Sequence, residues 1–375
     1  MGPDALQQAP ITDWLQVSLT PGIGPRTFAR LLERFGEPGR IVSADPAALR
    51  DTGLGAETIR ALREPDQRVI DAVLSWLDTE GAHILSLHEA TYPSLLKEIR
   101  DPPPLLFVQG DPQLLNDPQI AIVGSRNPTA SCVETTEAFA EHLAGCGLLV
   151  TSGLALGVDG AAHRGALRSG RTIAVLGTGP DRVYPARHRD LAKRISNAGA
   201  LVTELRPGIG PEGRNFPRRN RLISGMSLGT LVTEAALRSG SLITARCAVE
   251  QGREVFALPG SIHNPMARGC HALIRDGAKL VETAQDILEE LAPGIRSALS
   301  ANEPAAACTG EGGVGHVLDQ EYRQLLDAMG YDPVAPDDMI QRTGLTAQSV
   351  ASMLLLLELQ GHVLSVPGGR YCRNR

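Results

Sequence analysis

The fold is decided by the stretch Ile120-Ala121-Ile122-Val123-Gly124-Ser125-Arg126-Asn127-Pro128-Thr129, in which an apolar run and a glycine-led turn precede a helix-like segment. Apolar runs without polar alternation are typical of strands that are buried on both faces of a parallel sheet. Crossovers long enough for a helix separate this run from those that follow, and the pattern predicts a doubly wound, Rossmann-like, mostly parallel α/β sheet. The six later runs are 148–151, 172–176, 201–204, 230–233, 254–258 and 279–281.

The turns after these runs form the first candidate site, because ligands of such sheets bind beyond the carboxyl ends of the strands. Glycine and serine precede several helix-like segments here, which leaves backbone amides and the positive end of the helix dipole free for an anion. Several such turns at one edge favour a polynucleotide backbone over a single nucleotide. The turn residues that we predict to contact nucleic acid are Gly124, Ser125, Arg126, Thr129, Ser152, Gly153, Ser239, Gly240 and Ser241.

A basic stretch, Arg214-Asn215-Phe216-Pro217-Arg218-Arg219-Asn220-Arg221, is the second candidate, since it holds no acid in a chain with 42 Asp and Glu against 36 Lys and Arg. Guanidinium groups offer planar donors to phosphate oxygens, and a phenylalanine face can stack on a base. A solvated basic loop whose phenylalanine fills the core explains the same composition. The nucleic-acid hypothesis assigns a phosphate or base contact to Arg214, Phe216, Arg218, Arg219, Asn220 and Arg221.

Composition limits the class of protein. A length of 375 residues predicts two or three domains, and 42% hydrophobic with 3% aromatic residues predicts an aliphatic, layered interior. The net charge of −6 argues against a protein that coats duplex DNA but allows a basic groove. The six cysteines form no CxxC pair, which predicts free thiols rather than a zinc site or disulfides. Without a leader or a long apolar run, we expect a cytoplasmic protein with no membrane contact.

Four segments are predicted along the chain. Residues 1–85 form a small helical domain of the SAM or helix-hairpin-helix type, whose Gly22-Ile23-Gly24 turn either faces a DNA phosphate or only permits a tight turn. Residues 86–292 are the Rossmann-like domain, and residues 293–316, rich in Ala, Gly, Ser and Pro, are a flexible linker. Residues 317–375 are predicted as a winged-helix domain. Its second long helix lacks Lys and Arg, which favours protein contact or packing over groove reading.

Cofactor and catalytic patterns are weak in this sequence. The first turn lacks the Gly-x-Gly-x-x-Gly fingerprint, and the chain has no Walker Gly-Lys-Ser/Thr, so we expect neither NAD nor ATP, nor any other cofactor. Asp159 and His163 share one helical face, where a cap and a satisfied histidine are the commoner interpretation than an acid/base pair. Glu204 and Glu234 each end a strand, and either could serve as a general base or as an arginine partner.

Six motifs in order resemble the DNA-processing protein A family (DprA, also called Smf). The resemblance implies a Rossmann-like core that binds single-stranded DNA, forms a homodimer and loads the RecA recombinase onto incoming strands during natural transformation, without catalysis. It also implies a DNA pocket that contains Arg126 and the basic residues around Phe216-Pro217. The chain departs from the family pattern at Gly177-Thr178-Gly179-Pro180 and at His188-Arg189. The motifs are 123–126, 152–159 with Ala162-His163, Tyr184-Pro185, 216–221, Glu234-Ala235 with 239–245, and Leu258-Pro259-Gly260.

An enzyme remains the alternative hypothesis. Residues 229–234 are similar to the Pro-Gly-Gly-x-Gly-Thr-x-x-Glu loop of lysine-decarboxylase-like nucleotide phosphoribohydrolases, which would make Glu234 catalytic. Ser227-Leu228 stand where that loop has paired glycines, so the phosphate cradle is incomplete.

Overall fold

A computed structural model describes residues 5–301, 320–329, 334–359, 363–366 and 370–373. The chain divides into two compact units, Met1–Leu291 and Ala292–Arg375. Within the described residues, no helix has both the length and the apolar character that crossing a bilayer requires.

A mostly parallel sheet forms the centre of the first unit, which confirms the predicted doubly wound fold. Its strand order is β1-β2-β6-β5-β4-β3-β7-β8-β9, with β3 to β9 parallel to one another and the pair β1–β2 antiparallel at one edge. The order reverses between β3 and β7, which is the topological switch point where such sheets bind ligands. The strands are β1 (Ala82–Ser86), β2 (Leu105–Gly110), β3 (Gln119–Val123), β4 (Leu149–Ser152), β5 (Thr172–Val175), β6 (Ala200–Thr203), β7 (Gly229–Val232), β8 (Glu254–Ala257) and β9 (Lys279–Leu280).

Helices cover both faces of the sheet, and the basic stretch is one of them rather than a loop. The crossover helices confirm the predicted alternation of strand and helix. The apolar residues of strands and helices form a continuous core in which Val123, Val175 and Val232 are almost fully buried. The helices are α7 (Ser94–Lys97), α8 (Ala130–Gly145), α9 (Val158–Ser169), α10 (Arg189–Ala198), α11 (Asn215–Gly225), α12 (Ser241–Glu250), α13 (Arg268–Arg275) and α14 (Ala284–Ala301), with 3-10 turns at Pro112–Asn116 and Ala186–His188.

The amino-terminal module is helical, as predicted, and has its own core. Trp14 stacks on Phe28 with ring centroids 5.3 Å apart, and Trp76 meets Phe107 of β2 edge-on, so the module packs on the antiparallel edge of the sheet. Gly22 adopts a positive φ of 89°, which a glycine adopts at little cost. The helices are α1 (Ala5–Leu19), α2 (Pro25–Phe35), α3 (Pro38–Ser43), α4 (Pro46–Asp51), α5 (Ala56–Arg63) and α6 (Gln67–Leu77).

The second unit has the predicted winged-helix pattern of helices followed by a β-hairpin. Its buried apolar side chains include Leu325, Met339 and Leu357. Residues 293–301 of the predicted linker belong to α14, and residues 302–316 lie outside the described residues. The elements are α15 (Gln320–Met329), α16 (Pro336–Thr343), α17 (Ala347–Leu359), β10 (Val363–Val366) and β11 (Arg370–Arg373).

Candidate nucleic-acid interface

A cavity of about 720 Å³ lies at the switch point between β3 and β7. The turns after β3, β4 and β7 form its walls together with α11 and the start of α12. Nine of the residues predicted from the sequence meet here, although they come from widely separated parts of the chain. They are Gly124, Ser125, Arg126, Phe216, Arg219, Asn220, Ser239, Gly240 and Ser241.

The lining of this cavity is cationic. Arg126, Arg219 and Arg238 line it, and Asp159 is the single acid among the lining residues. Arg126 and Arg238 are exposed, and neither has a carboxylate partner within the part of the chain that the structure describes. Two guanidinium groups are therefore available to an anionic ligand. Arg238 was missed from the sequence, although a basic residue directly before the Ser239-Gly240-Ser241 turn was a signal that could have found it.

A buried arginine, Arg219, forms part of the cavity wall. Arg219 is 5% exposed, and its Nη1 donates to the carbonyl oxygen of Val175 at 3.0 Å. A Cβ on Gly153 would lie 1.6 Å from the same Nη1, so the guanidinium occupies the space that a side chain at position 153 would need. The buried carboxylate of Asp159 accepts hydrogen bonds from the backbone N–H groups of Gly153 at 3.1 Å and Ala155 at 3.2 Å.

The two buried charges, Arg219 and Asp159, influence each other's pKa. Burial lowers the pKa of Arg219 to about 10, while the charge of Asp159 opposes that change, and the guanidinium remains a cation at neutral pH. Burial raises the pKa of Asp159, and Arg219 together with the two N–H donors acts in the opposite direction. Contacts within the protein therefore fix the position of the positive charge of Arg219.

An aromatic pair borders the cations. The guanidinium carbon of Arg126 lies 5.8 Å from the centroid of the Phe216 ring, and the Tyr184 ring lies 5.6 Å from Phe216 at a tilt of 45°. Phe216 is half-buried, and a Cβ on Gly177 would come within 2.8 Å of its ring. Phe216 thus packs on the backbone at Gly177 and also lines the cavity, so each of the two interpretations made from the sequence describes part of its environment.

The start of α12 lies at the cavity, but the free backbone N–H groups that the sequence predicted there are already engaged: Leu242 N–H donates to the Ser239 carbonyl oxygen at 3.2 Å and Ile243 N–H to that of Gly240 at 3.1 Å. Gly240 is the N-cap residue, and Ser239 Oγ accepts the Ser241 N–H at 3.3 Å and lies 2.7 Å from Ser241 Oγ. Asn220 of α11 donates to the Gly240 carbonyl oxygen at 3.3 Å, which ties the two helices together beside the cavity. This helix end carries the positive pole of its dipole toward the cavity.

Two predicted contact residues have structural roles instead. Thr129 caps α8 through its Oγ1, which accepts the Cys132 N–H at 3.2 Å, and its own N–H donates to the carboxylate of Glu234 at 2.9 Å. Ser152 is fully buried, and its hydroxyl donates to the Ile122 carbonyl oxygen at 2.6 Å. The prediction of a ligand contact is wrong for the Ser152 side chain, because burial removes it from any ligand.

Three of the four arginines in the basic stretch do not line the cavity. Arg214, Arg218 and Arg221 follow a spacing of four and three residues, which places them on one face of the helical turn, whereas Phe216 and Arg219 occupy another. The hypothesis that all four arginines contact nucleic acid treated them as one cluster, whereas the helix divides them between two faces and brings Arg219 alone of the four to the cavity.

The three arginines on the other face are bound by carboxylates. Glu204 pairs with Arg218 at 3.1 Å and with the buried Arg221 at 2.5 Å, and Arg221 also donates to the Asp101 carbonyl oxygen at 2.7 Å. The exposed Arg214 pairs with Glu212 at 2.7 Å. Glu204 therefore serves as an arginine partner, one of the two roles considered for it.

The possible acid and base groups are also engaged. The buried carboxylate of Glu234 accepts hydrogen bonds from Thr129 and, at 3.1 Å, from Asn264 Nδ2. His163 is fully buried with Nδ1 2.8 Å from Thr172 Oγ1, and burial lowers its pKa to about 3. Within the described residues, no group of three or more His, Cys, Asp or Glu side chains could hold a metal ion.

The fold and the cavity together define a Rossmann-like protein with a cationic, partly aromatic cavity at its topological switch point. Three family models match the chain: "DNA recombination-mediator protein A" over residues 83–292, "DprA winged helix domain" over residues 314–369 and "DprA-like N-terminal HHH domain" over residues 8–67. The chain belongs to the DNA recombination-mediator protein A family, which confirms the resemblance to DprA and Smf proteins.

Relatives and solved structures agree with this membership. Protein Smf of Escherichia coli K12 is 42% identical over 88% of each chain, and DNA processing protein DprA of Streptococcus pneumoniae R6 is 46% identical over 55% of this chain and 73% of the relative. The crystal structure of the S. pneumoniae protein superposes with a TM-score of 0.66 at 38% identity, covering 74% of this chain and 97% of the other. DNA processing protein A of Helicobacter pylori, described for its single-stranded DNA binding mode, has a TM-score of 0.52 at 30% identity, covering 56% and 97%.

Proposed function

We propose that this chain binds single-stranded DNA in the cavity between the ends of β3 and β7. The observation that carries the proposal is the charge of that cavity: Arg126 and Arg238 are exposed without a carboxylate partner, and the one lining acid, Asp159, is buried beside Arg219. Exposed guanidinium groups without an ion pair keep their donors available to an anion outside the chain. Phosphate oxygens are the natural partners of such guanidinium groups.

Aromatic rings in the cavity and at its border supply partners for the bases. Phe216 and Tyr184 offer aromatic surface next to Arg126, and an unpaired base can stack on such a ring whatever its identity. The paired bases of a duplex are not available for this contact. The combination of guanidinium groups, the positive pole of the α12 dipole and an aromatic ring therefore favours a single strand over a duplex and predicts little sequence preference.

The cellular role follows from family membership and is also proposed. We infer that the chain acts in the cytoplasm as a recombination mediator that loads a RecA-type recombinase onto incoming DNA during transformation, without catalysis of its own. The engagement of both Glu234 oxygens by Thr129 and Asn264 supports a non-catalytic role for that carboxylate. A homodimer is proposed as the working form. Its support is the resemblance to the family, which implies a homodimer.

Fluorescence anisotropy with labelled oligo-dT tests the binding proposal, with a duplex of equal length as the comparison. The single strand is expected to bind more tightly than the duplex at salt concentrations of about 0.05 and 0.2 M. Replacing Arg126 and Arg238 together with alanine should weaken binding and make the slope of log K against log salt shallower by about 1.4.

A matched double variant, Arg168→Ala with Arg171→Ala, removes the same charge from exposed residues that are paired with carboxylates and do not line the cavity. It should bind oligo-dT like the unmodified protein. Equal losses in the two double variants, or equal affinity for strand and duplex, would overturn the proposal.

A further inference from the structure

We propose that a strand held in the cavity continues past Tyr184 onto the outer face of α10, where Arg189, Lys193 and Arg194 bind its backbone. This inference rests on the proposed function, because it extends the path of the same strand. It assigns a second contact surface, the α10 surface, defined by those three cations.

The cavity and α10 are continuous through Tyr184. Tyr184 and Pro185 line a smaller cavity of about 50 Å³ together with Arg126 and Phe216. The Tyr184 ring is 48% exposed although it contacts Phe216, so it presents an aromatic surface to solvent at the border of the site. The chain then makes the 3-10 turn Ala186–His188 and enters α10 at Arg189.

The start of α10 is held against the site. His188 lies with Nδ1 2.9 Å from the carbonyl oxygen of Leu154, whose neighbour Ala155 lines the main cavity. The imidazole covers Gly160, where a Cβ would come within 2.8 Å of its Cε1. These contacts set the position of Arg189, the residue after His188, relative to the cavity.

The direction of α10 leads a strand away from the cavity. The helix joins the carboxyl end of β5 to the amino end of β6, so it begins at the edge that holds the site and runs toward the opposite edge. Arg189 and Lys193 are one turn apart, about 6 Å along the axis. Successive cations at that spacing can contact successive phosphates of an extended strand.

The exposed face of α10 carries three cations. The helix buries Leu191, Ala192 and Ile195 and exposes Arg189, Lys193 and Arg194, and its one acid is Asp190. None of the three exposed cations has an ion pair with a carboxylate in the part of the chain that is described.

Cations on the adjoining surface, unlike those of α10, are paired with carboxylates. Arg164 pairs with Glu137, and Arg168 pairs with Glu137 and Glu141. Arg171 is close to Asp117, at 3.8 Å. The chain as a whole carries a net charge of −6, so carboxylates are plentiful. Among the described residues, however, no carboxylate is paired with a cation of the α10 surface. A polyanion outside the chain fits this arrangement.

Strand length provides the test, with the full-length chain and oligo-dT of about six and about twenty nucleotides. The triple variant Arg189→Gln, Lys193→Gln and Arg194→Gln should bind the short strand as the unmodified protein does, since the cavity alone accommodates it. On the long strand its affinity should fall about tenfold to a hundredfold, and the salt slope should become shallower by about 2.

The control is a second triple variant, Arg40→Gln, Arg168→Gln and Arg171→Gln, which removes three exposed cations that face carboxylates. It should bind both strands like the unmodified protein. Unchanged binding of the long strand by the α10 variant, an equal loss on both lengths, or the same loss in the control would overturn the inference. If Arg126→Ala with Arg238→Ala still weakens both strands, only the path along α10 has failed. If the unmodified protein binds neither strand, the proposed function itself has failed.

Discussion

Arg219 Nη1 occupies the position next to the Cα of Gly153 where a side chain at residue 153 would begin, with only 1.6 Å between Nη1 and a Cβ built there. The guanidinium reaches this place from α11 and is held by the Val175 carbonyl oxygen. A glycine in the turn after β4 and an arginine in α11 therefore depend on each other, although 66 positions separate 153 from 219 in the sequence.

Gly153→Ala should displace Arg219 and lower both stability and DNA affinity. The methyl group cannot share the space of the guanidinium, and overpacking of a buried site costs about 1–3 kcal/mol. Chemical denaturation measures the loss of stability, and oligo-dT anisotropy measures the loss of affinity. Gly210→Ala is the matched control, because nothing lies within 4 Å of a Cβ at Gly210. A Gly153→Ala protein as stable as the control would contradict the packing described here.

Glu204→Gln should destabilise the protein by about 3 kcal/mol, because the buried Arg221 would lose the closer of its two carboxylate partners and keep only Asp101, at 3.7 Å. The side chains of Glu204 and Arg221 are 6% and 10% exposed, so water cannot replace the lost interaction. The comparison is Glu212→Gln, which breaks the exposed pair with Arg214 and should change the free energy of unfolding by less than about 0.5 kcal/mol. Urea unfolding measures the free energy of unfolding of the two variants. Equal losses of stability would show that Arg221 does not need Glu204.

The strands of the sheet and helix α11 differ in how well the sequence predicts them. The strands β3 to β9 could be predicted, because uninterrupted apolar runs leave few alternatives to a buried parallel sheet. Which side chains of α11 share a face could not be predicted, since Pro217 and the polar residues around it resemble a loop. Proline is tolerated in the first turn of a helix, and α11 begins at Asn215, two residues earlier. Once the segment is helical, the arginines must separate onto different faces.

The antiparallel pair β1–β2 was also missed. No run before Ile120 is predicted as a strand, and β2 begins at Leu105, directly after the prolines at 102–104. Its pairing with β1 joins positions that are 19 to 27 residues apart, which no local pattern reveals. The edge of the sheet that holds the cavity, by contrast, could be predicted, because ligands of parallel sheets bind beyond the carboxyl ends of the strands.

His163 should make stability fall as the pH is lowered. Its pKa is about 3 in the folded protein because it is buried, against an ordinary value of 6.5, so below pH 6.5 the unfolded chain binds a proton that the folded chain does not. Stability is complete above pH 6.5 and declines as pH falls toward 3, by about 2 kcal/mol at pH 5. The substitution His163→Gln keeps a donor for Thr172 and should remove this part of the pH dependence. Unfolding free energies at pH 7 and pH 5 test it, and identical slopes for the two proteins would show that His163 titrates normally.

Glu234→Gln separates the binding protein from the phosphoribohydrolase alternative. If Glu234 only holds the start of α8 and Asn264, the variant should lose about 1–3 kcal/mol of stability, because Gln presents an N–H₂ group where two donors of Thr129 and the amide of Asn264 need acceptors. Nucleoside monophosphates incubated with the unmodified protein should then release no free base, as chromatography of the products would show. Base release by the unmodified protein that disappears in the variant would establish the enzyme instead. The present hydrogen bonds argue against that outcome, since a carboxylate with three donors already in place has little capacity left to act on a substrate.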